Sequence, residues 1–263
     1  MHNKNIDNGR EFDWGRTSLD YAKYRDIYPK EFYLKILENG LCQKGQNVLD
    51  IGTGTGVLPR NLYSCGAVFT GIDISPNQIA QAIALAQKEG MKITFACVPA
   101  EQSEFQDGSF DTVTACQCFH YFDHVKLAPL ISRILKPDGR LAILYMEWLP
   151  YEDKIAGKSE ELILQYNPSW TGGGERRHLL SVPDSYRQYF TVEKEELFDL
   201  QVPFTRESWN GRIKTCRGIG ASLSEKEIVQ FESEHRRMLE ETAPEKFTVM
   251  HFASITILAK KRK

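Results

Sequence analysis

The chain has 263 residues, 41% of them hydrophobic, which is enough to bury one sizeable core, and α/β domains of this length often stand alone. Its 33 lysines and arginines against 35 acids give a net charge of -2 without the clustered positive charge that nucleic-acid binding leans on, and the one basic run, the terminal AKKRK, reads as a solubilising tail. No apolar run is long enough to span a bilayer and the polar MHNKNIDNGREF lacks a signal-peptide core, so a cytoplasmic protein with no nucleic-acid and no membrane partner is expected.

In chain order, residues 18–40 carry DYAKYRDIYPKEFY and read as a helical arm whose spacing puts Tyr21, Tyr24, Arg25 and Tyr28 on one side. From 46 to 146, strand-like and helix-like patterns alternate as they do in a parallel, doubly wound α/β sheet. QNVLDI is a first strand and GVLPRNLYSCG a helix that tolerates Pro59 in its first turns. AVFTGID is a second strand. SPNQIAQAIALAQKEG follows with Ser75 as N-cap, Pro76 at the first helical position and Gly90 as its stop. KITFAC, FDTVTAC and RLAILYM are further strands, the last two separated by a helix ending at LKPDGR, where Pro137 and Gly139 predict a turn.

Residues 147–190 break this rhythm with many aromatics and a flexible TGGGE, and read as a cap or lid insertion. Residues 191–263 close the fold: a strand in TVEKEELFDLQV, a helix in SEKEIVQFESEHRRMLEE with Ser224 and Glu227 spaced as a capping box, and a long strand in FTVMHFASITILA. A single domain over 1–263 is expected. Six cysteines (Cys42, Cys65, Cys97, Cys116, Cys118, Cys216) form no CxxC pair, so reduced thiols and no metal are expected.

VLDIGTGTGVL places Gly52, Gly54 and Gly56, interleaved with Thr53 and Thr55, at the carboxyl end of the first strand, where open α/β sheets bind ligands. About twenty residues on stands Asp73, placed to accept the hydroxyl protons of a ribose. Two details argue against a dinucleotide. The fingerprint glycine is replaced by Val57, and Asp50 just before the loop repels a pyrophosphate while suiting an ammonium or sulfonium. A phosphate-free adenosine cofactor with a cationic tail, S-adenosylmethionine, fits these residues better.

Together VLDIGTGTG, GIDIS, PAEQSEFQDGSFD, QCFHYFD and ILKPDGRLAI resemble the class I S-adenosylmethionine-dependent methyltransferases, in the type-11 group of small-molecule methylating domains. The resemblance implies a Rossmann-like seven-stranded sheet in the order 3-2-1-4-5-7-6 with the last strand antiparallel. It also implies that Gly52 to Gly56 cradle the methionine end of the cofactor, Asp73 holds the ribose, Ile74 lines the adenine, and Ala100 and Glu101 meet the adenine edge. Cys116 and Gln117 become neighbours of the cofactor. YAKYRDIYP and QCFHYF are similar to segments of the trans-aconitate methyltransferase-like branch, with Asp26 in place of its proline and Tyr121 in place of its common tryptophan.

Methyl transfer from a sulfonium is an in-line displacement that rests on holding the reactants collinear and dry, and a base is needed only for an acceptor that must lose a proton. His120 is the candidate base, with a wall histidine as the alternative reading. Tyr24 and Arg25 are expected at the cofactor, and Tyr21, Tyr28, Phe119, Tyr121, Trp148 and Trp170 in the pocket of a small-molecule acceptor. His251 reads as a core or lip histidine. Three other functions stay open at this stage: an NAD-dependent oxidoreductase, a methyltransferase acting on RNA or protein, and a non-catalytic protein that binds the cofactor. The sequence leaves the oligomeric state and the acceptor open.

Overall fold

The computed structural model describes residues 6–262; the opening of the polar N-terminal stretch and Lys263 of the basic run lie outside the described residues. Helices α1 (Ser18–Tyr24) and α2 (Lys30–Glu38) precede strand β1 (Asn47–Ile51). Then come α3 (Val57–Asn61), β2 (Val68–Asp73), α4 (Pro76–Lys88), β3 (Thr94–Cys97), β4 (Phe110–Cys116), α5 (His124–Ile134) and β5 (Leu135–Trp148). The chain ends with α6 (Lys154–Tyr166), β6 (Phe190–Thr205), α7 (Arg206–Lys214), α8 (Glu225–Thr242) and β7 (Lys246–Lys260). The strands form one mixed seven-stranded sheet in the order β3-β2-β1-β4-β5-β7-β6, as the resemblance implied.

Strands β1, β2, β3, β4 and the start of β5 pair in parallel, which explains why β1 and β4 read as near-continuous apolar runs: both faces of such strands are covered. Ser75 and Pro76 act as expected, the Ser75 side chain accepting from the Gln78 N–H at the start of α4. Ser224 and Glu227 form the complete capping box of α8.

The turn expected at LKPDGR is present as an excursion within β5: between the pairs Phe110–Leu135 and Thr112–Arg140 the chain doubles back through Pro137 and Gly139, where a Cβ on Gly139 would lie 2.9 Å from the Leu135 side chain. One local reading changes. The arm over 18–40 is two helices rather than one. Pro29 disfavours helical backbone at Tyr28 and is itself extended (φ -69°, ψ 157°) as the N-cap of α2, so Tyr21 and Tyr24 share a helix, Arg25 caps it, and Tyr28 lies beyond it.

The chain divides into two compact units. One comprises residues 1–28, 147–177 and 199–252; the other 29–146, 178–198 and 253–263, so the segment expected as a cap divides between them after Arg177. The second unit is built on Leu49, Ile51, Ile72, Val113, Ala115, Leu127, Ile131, Leu141 and Ile143, all essentially buried. In the first unit Trp148, Phe204, Trp209 and His251 pack ring against ring. His251 is a core histidine, as expected, and burial pushes its pKa down to about 3. His235 is likewise buried and neutral, held between the Asn210 amide oxygen at 2.8 Å and the Ser159 hydroxyl at 3.0 Å.

Candidate functional site

In the second unit the β1–α3 loop turns over the carboxyl end of the central strands. Gly52, Gly54 and Gly56 have φ of 64°, 55° and 72°, a left-handed backbone that β-carbons disfavour. Space is a second constraint: a Cβ on Gly52 would lie 2.8 Å from both Cβ and Sγ of Cys118, and one on Gly56 2.8 Å from the Phe95 ring. The loop is tied down by its own amides. Thr53 N–H donates to the Ile72 carbonyl at 2.9 Å, Gly54 N–H to Oδ2 of Asp73 at 2.9 Å, and Gly56 N–H to the Thr53 carbonyl at 2.9 Å.

Beneath the loop lies Asp50, 2% exposed. The β1–β4 register sets Asp50 beside Thr114, whose hydroxyl donates to Oδ1 at 2.7 Å, while the Thr53 hydroxyl donates to Oδ2 at 2.6 Å. Burial pushes the carboxyl pKa up to about 6; the two hydroxyls pull it down and the like charge of Asp73 adds to the rise. Thr55 is fully buried and its hydroxyl has no partner.

Asp73 ends β2 and is half-buried, its Oδ1 accepting from Ser75 N–H at 2.8 Å; burial raises its pKa against the pull of those amides. The next residue, Ile74, is an apolar side chain left 52% exposed beside it. Ala100 is buried in a short 3-10 turn, and Glu101 Oε1 accepts from Asp123 N–H at 2.8 Å. At the end of β4, Cys116 is half-buried, and Gln117 takes a positive φ of 63°. The Gln117 side chain is engaged in the sheet: its amide donates to the Met146 carbonyl and accepts from Met146 N–H at 3.3 Å. The Cys118 thiol donates to the Ile51 carbonyl at 3.0 Å, and burial holds it protonated, which makes it a wedge under the loop rather than a nucleophile.

Phe119 is buried against Tyr186 and His124, whereas His120 is exposed, its ring 4.1 Å from Tyr121 and edge-on to Tyr145 at 6.5 Å. Strands β2 and β1 lie between β3 and β4, so Cys97 and Cys116 stand about three strand spacings, roughly 14 Å, apart. Among the described residues no group of three or more His, Cys, Asp or Glu is placed to hold a metal ion.

The first unit holds the remaining expected residues. Arg25 lies over the Tyr21 ring at 4.7 Å and the Trp14 ring at 6.0 Å; Tyr21, Glu147 and Tyr28 favour its charged form against burial. The Tyr24 hydroxyl donates to Glu207 at 3.1 Å and its ring fills the space over Gly211. Trp148 is 1% exposed with its indole N–H on Glu160, and Trp170 packs against Gly218. Sequence reasoning missed Glu147 and Arg212. The Arg212 guanidinium lies over the Trp148 ring at 4.7 Å and meets Glu147 Oε1 at 3.4 Å, and nothing in the WNGRIK segment signals that its arginine is buried.

The loop suits a ligand that approaches its backbone closely and brings positive rather than negative charge toward Asp50. The comparisons agree. The model of a methyltransferase domain matches residues 49–143. A ubiquinone biosynthesis O-methyltransferase of Dechloromonas aromatica is 26% identical over 200 residues, covering 74% of this chain and 84% of the relative. One from Pseudomonas aeruginosa is 31% identical over 160 residues, 60% of this chain and 68% of the relative. Among solved structures, a Haemonchus contortus phosphoethanolamine N-methyltransferase 2 in complex with phosphomonomethylethanolamine and S-adenosylhomocysteine superposes with a TM-score of 0.55 at 22% identity, over 94% of this chain and 58% of that one. The chain belongs to the class I S-adenosylmethionine-dependent methyltransferases.

Proposed function

We propose that the protein methylates a small-molecule acceptor by in-line displacement, and that the β1–α3 loop with Asp50, Asp73 and Ile74 is its cofactor site. The observation that carries this reading is the buried Asp50 carboxyl under a loop whose glycines admit no side chain. When bound, S-adenosylmethionine supplies an electrophilic methyl group on a sulfonium. The chain's own part is binding, orientation and exclusion of water.

Asp50 contributes negative potential from a place that solvent screens poorly, which favours a cationic donor over a neutral product. The oxygens of Asp73 accept backbone N–H groups, Gly54 on Oδ2 and Ser75 on Oδ1, and keep lone pairs for ribose hydroxyls. Ile74 offers an exposed apolar floor to a purine. The near-neutral charge of the chain supports a small acceptor over a polyanion.

Where the acceptor atom carries a proton, His120 is the group proposed to take it at an imidazole nitrogen. Replacing His120 with Asn is then expected to lower kcat by about a hundredfold with little change in cofactor affinity, and an unchanged kcat would assign His120 to the rim. The experiment that tests the whole reading is calorimetric titration of the purified protein with S-adenosylmethionine, S-adenosylhomocysteine and NAD, followed by a screen of acids, phenols, amines and thiols for conversion of the first to the second. Binding of NAD alone would make it an oxidoreductase. Binding without turnover on any acceptor would leave a cofactor-binding protein.

A further inference from the structure

Arg212 is the least satisfied charged group among the described residues. It sits in α7 and is 2% exposed, yet neither Nε nor Nη1 has a hydrogen-bond partner. Nη2 alone reaches an acid, Glu147 Oε1 at 3.4 Å, and that oxygen also accepts the Trp148 N–H at 3.2 Å. A guanidinium carries five N–H donors in a planar fork, so most of this one's hydrogen-bonding capacity is withdrawn from water and unused.

The surroundings narrow what would use it. Arg25 is close enough to Arg212 to repel it, and Glu147 attracts both arginines, while the like charge of Glu175 acts on Glu147. Burial and Arg25 together push Arg212 down to about 10, the mark of a cation short of counter-charge. The rest of the cluster is aromatic: Trp148 under Arg212, and Tyr21 and Trp14 under Arg25. A planar, two-oxygen anion on an apolar body matches both the unused donors and the rings, whereas a bare inorganic anion matches only the donors.

We propose that Arg212, with Arg25 and Trp148, forms a binding site for the carboxylate of a small organic acid. The inference rests on the methyltransferase reading only in taking that acid as the methyl acceptor; the carboxylate is its handle, whichever atom is methylated. The same chemistry has a second source, the carboxylate at the amino-acid end of the cofactor, and the test separates the two.

The full chain is titrated with sodium benzoate and with benzamide, its neutral isostere, by calorimetry, without and with saturating S-adenosylhomocysteine. The same titrations are run on Arg212→Met and Arg212→Lys. Benzoate is expected to bind in both conditions and benzamide about tenfold more weakly, and both variants are expected to lose benzoate affinity by about tenfold or more while S-adenosylhomocysteine affinity stays within about twofold. Arg212→Lys keeps the buried charge without the fork, so it carries the test if Arg212→Met does not fold. Equal binding of benzoate and benzamide, or benzoate affinity untouched by either variant, would overturn the proposal. So would competition between benzoate and S-adenosylhomocysteine with parallel losses of both in the variants, which would give Arg212 to the cofactor's own carboxylate. If the wild-type protein binds benzoate through Arg212 but does not bind S-adenosylhomocysteine, the methyltransferase reading fails and the carboxylate site stands.

Discussion

Asp50 shows how one residue couples stability to function. Its folded pKa of about 6 lies above the unfolded value near 3.9, so protonation favours the folded state. The resulting stabilisation is complete below the unfolded pKa and is lost as pH rises through about 6, a difference of about 3 kcal/mol between the two limits. Asp50→Asn is therefore expected to raise Tm at pH 8, checked by calorimetric melting, while weakening S-adenosylmethionine binding. A cationic ligand binds best to the ionised carboxylate, so wild-type affinity should fall as pH drops through about 6, by up to about tenfold per pH unit, and the variant should lose that slope. Gly52 makes a second residue-level prediction. Gly52→Ala should abolish cofactor binding by titration, and adding Cys118→Ala should not rescue it, because the clash at 2.8 Å includes the Cβ of Cys118 as well as its sulfur. Both residues were legible in the sequence because glycines and an acid at a strand end have local reasons to be there. Arg212 was not legible, since its character comes from burial by partners distant in the chain, and leaving such a cation short of partners costs about 1–3 kcal/mol or more.

At the scale of elements, legibility tracked how local the cause was. The start of α4 was readable to the residue because Ser75 and Pro76 are both start signals by themselves. Ser75→Ala should cost about 1 kcal/mol, seen as a Tm lower by about 2–4 °C. It should leave cofactor affinity nearly unchanged, since the N–H that Ser75 donates to Asp73 belongs to the backbone and survives the substitution. α7 was missed for the opposite reason: RESWNGRIK has a glycine at its centre and no clear apolar stripe. Gly211 is there because Tyr24 packs on it, and a Cβ at 211 would lie 2.4 Å from that ring. Gly211→Ala should destabilise the protein by about 1–3 kcal/mol in denaturant unfolding. The break in β5 was legible for the same local reason as α4: Pro137 and Gly139 announce a turn, and the β4–β5 register shifts there.

For the molecule as a whole, the order of the seven strands followed from the resemblance, while the division into two compact units did not follow from any composition shift. The weakly acidic net charge of -2 implies that cofactor affinity is nearly independent of added salt and that the protein runs through a heparin column unretained, in contrast to a polyanion-binding enzyme. No helix among the described residues is long and apolar enough to cross a membrane. The tethered glycine loop has a consequence in time. With Thr53, Gly54 and Gly56 N–H groups already bonded to their own neighbours, little of the loop is left to order, and capture of the cofactor should carry no isomerisation step of the loop. In stopped-flow mixing, the observed rate should rise linearly with cofactor concentration without a plateau, and those amides should exchange slowly with deuterated solvent before any ligand is added.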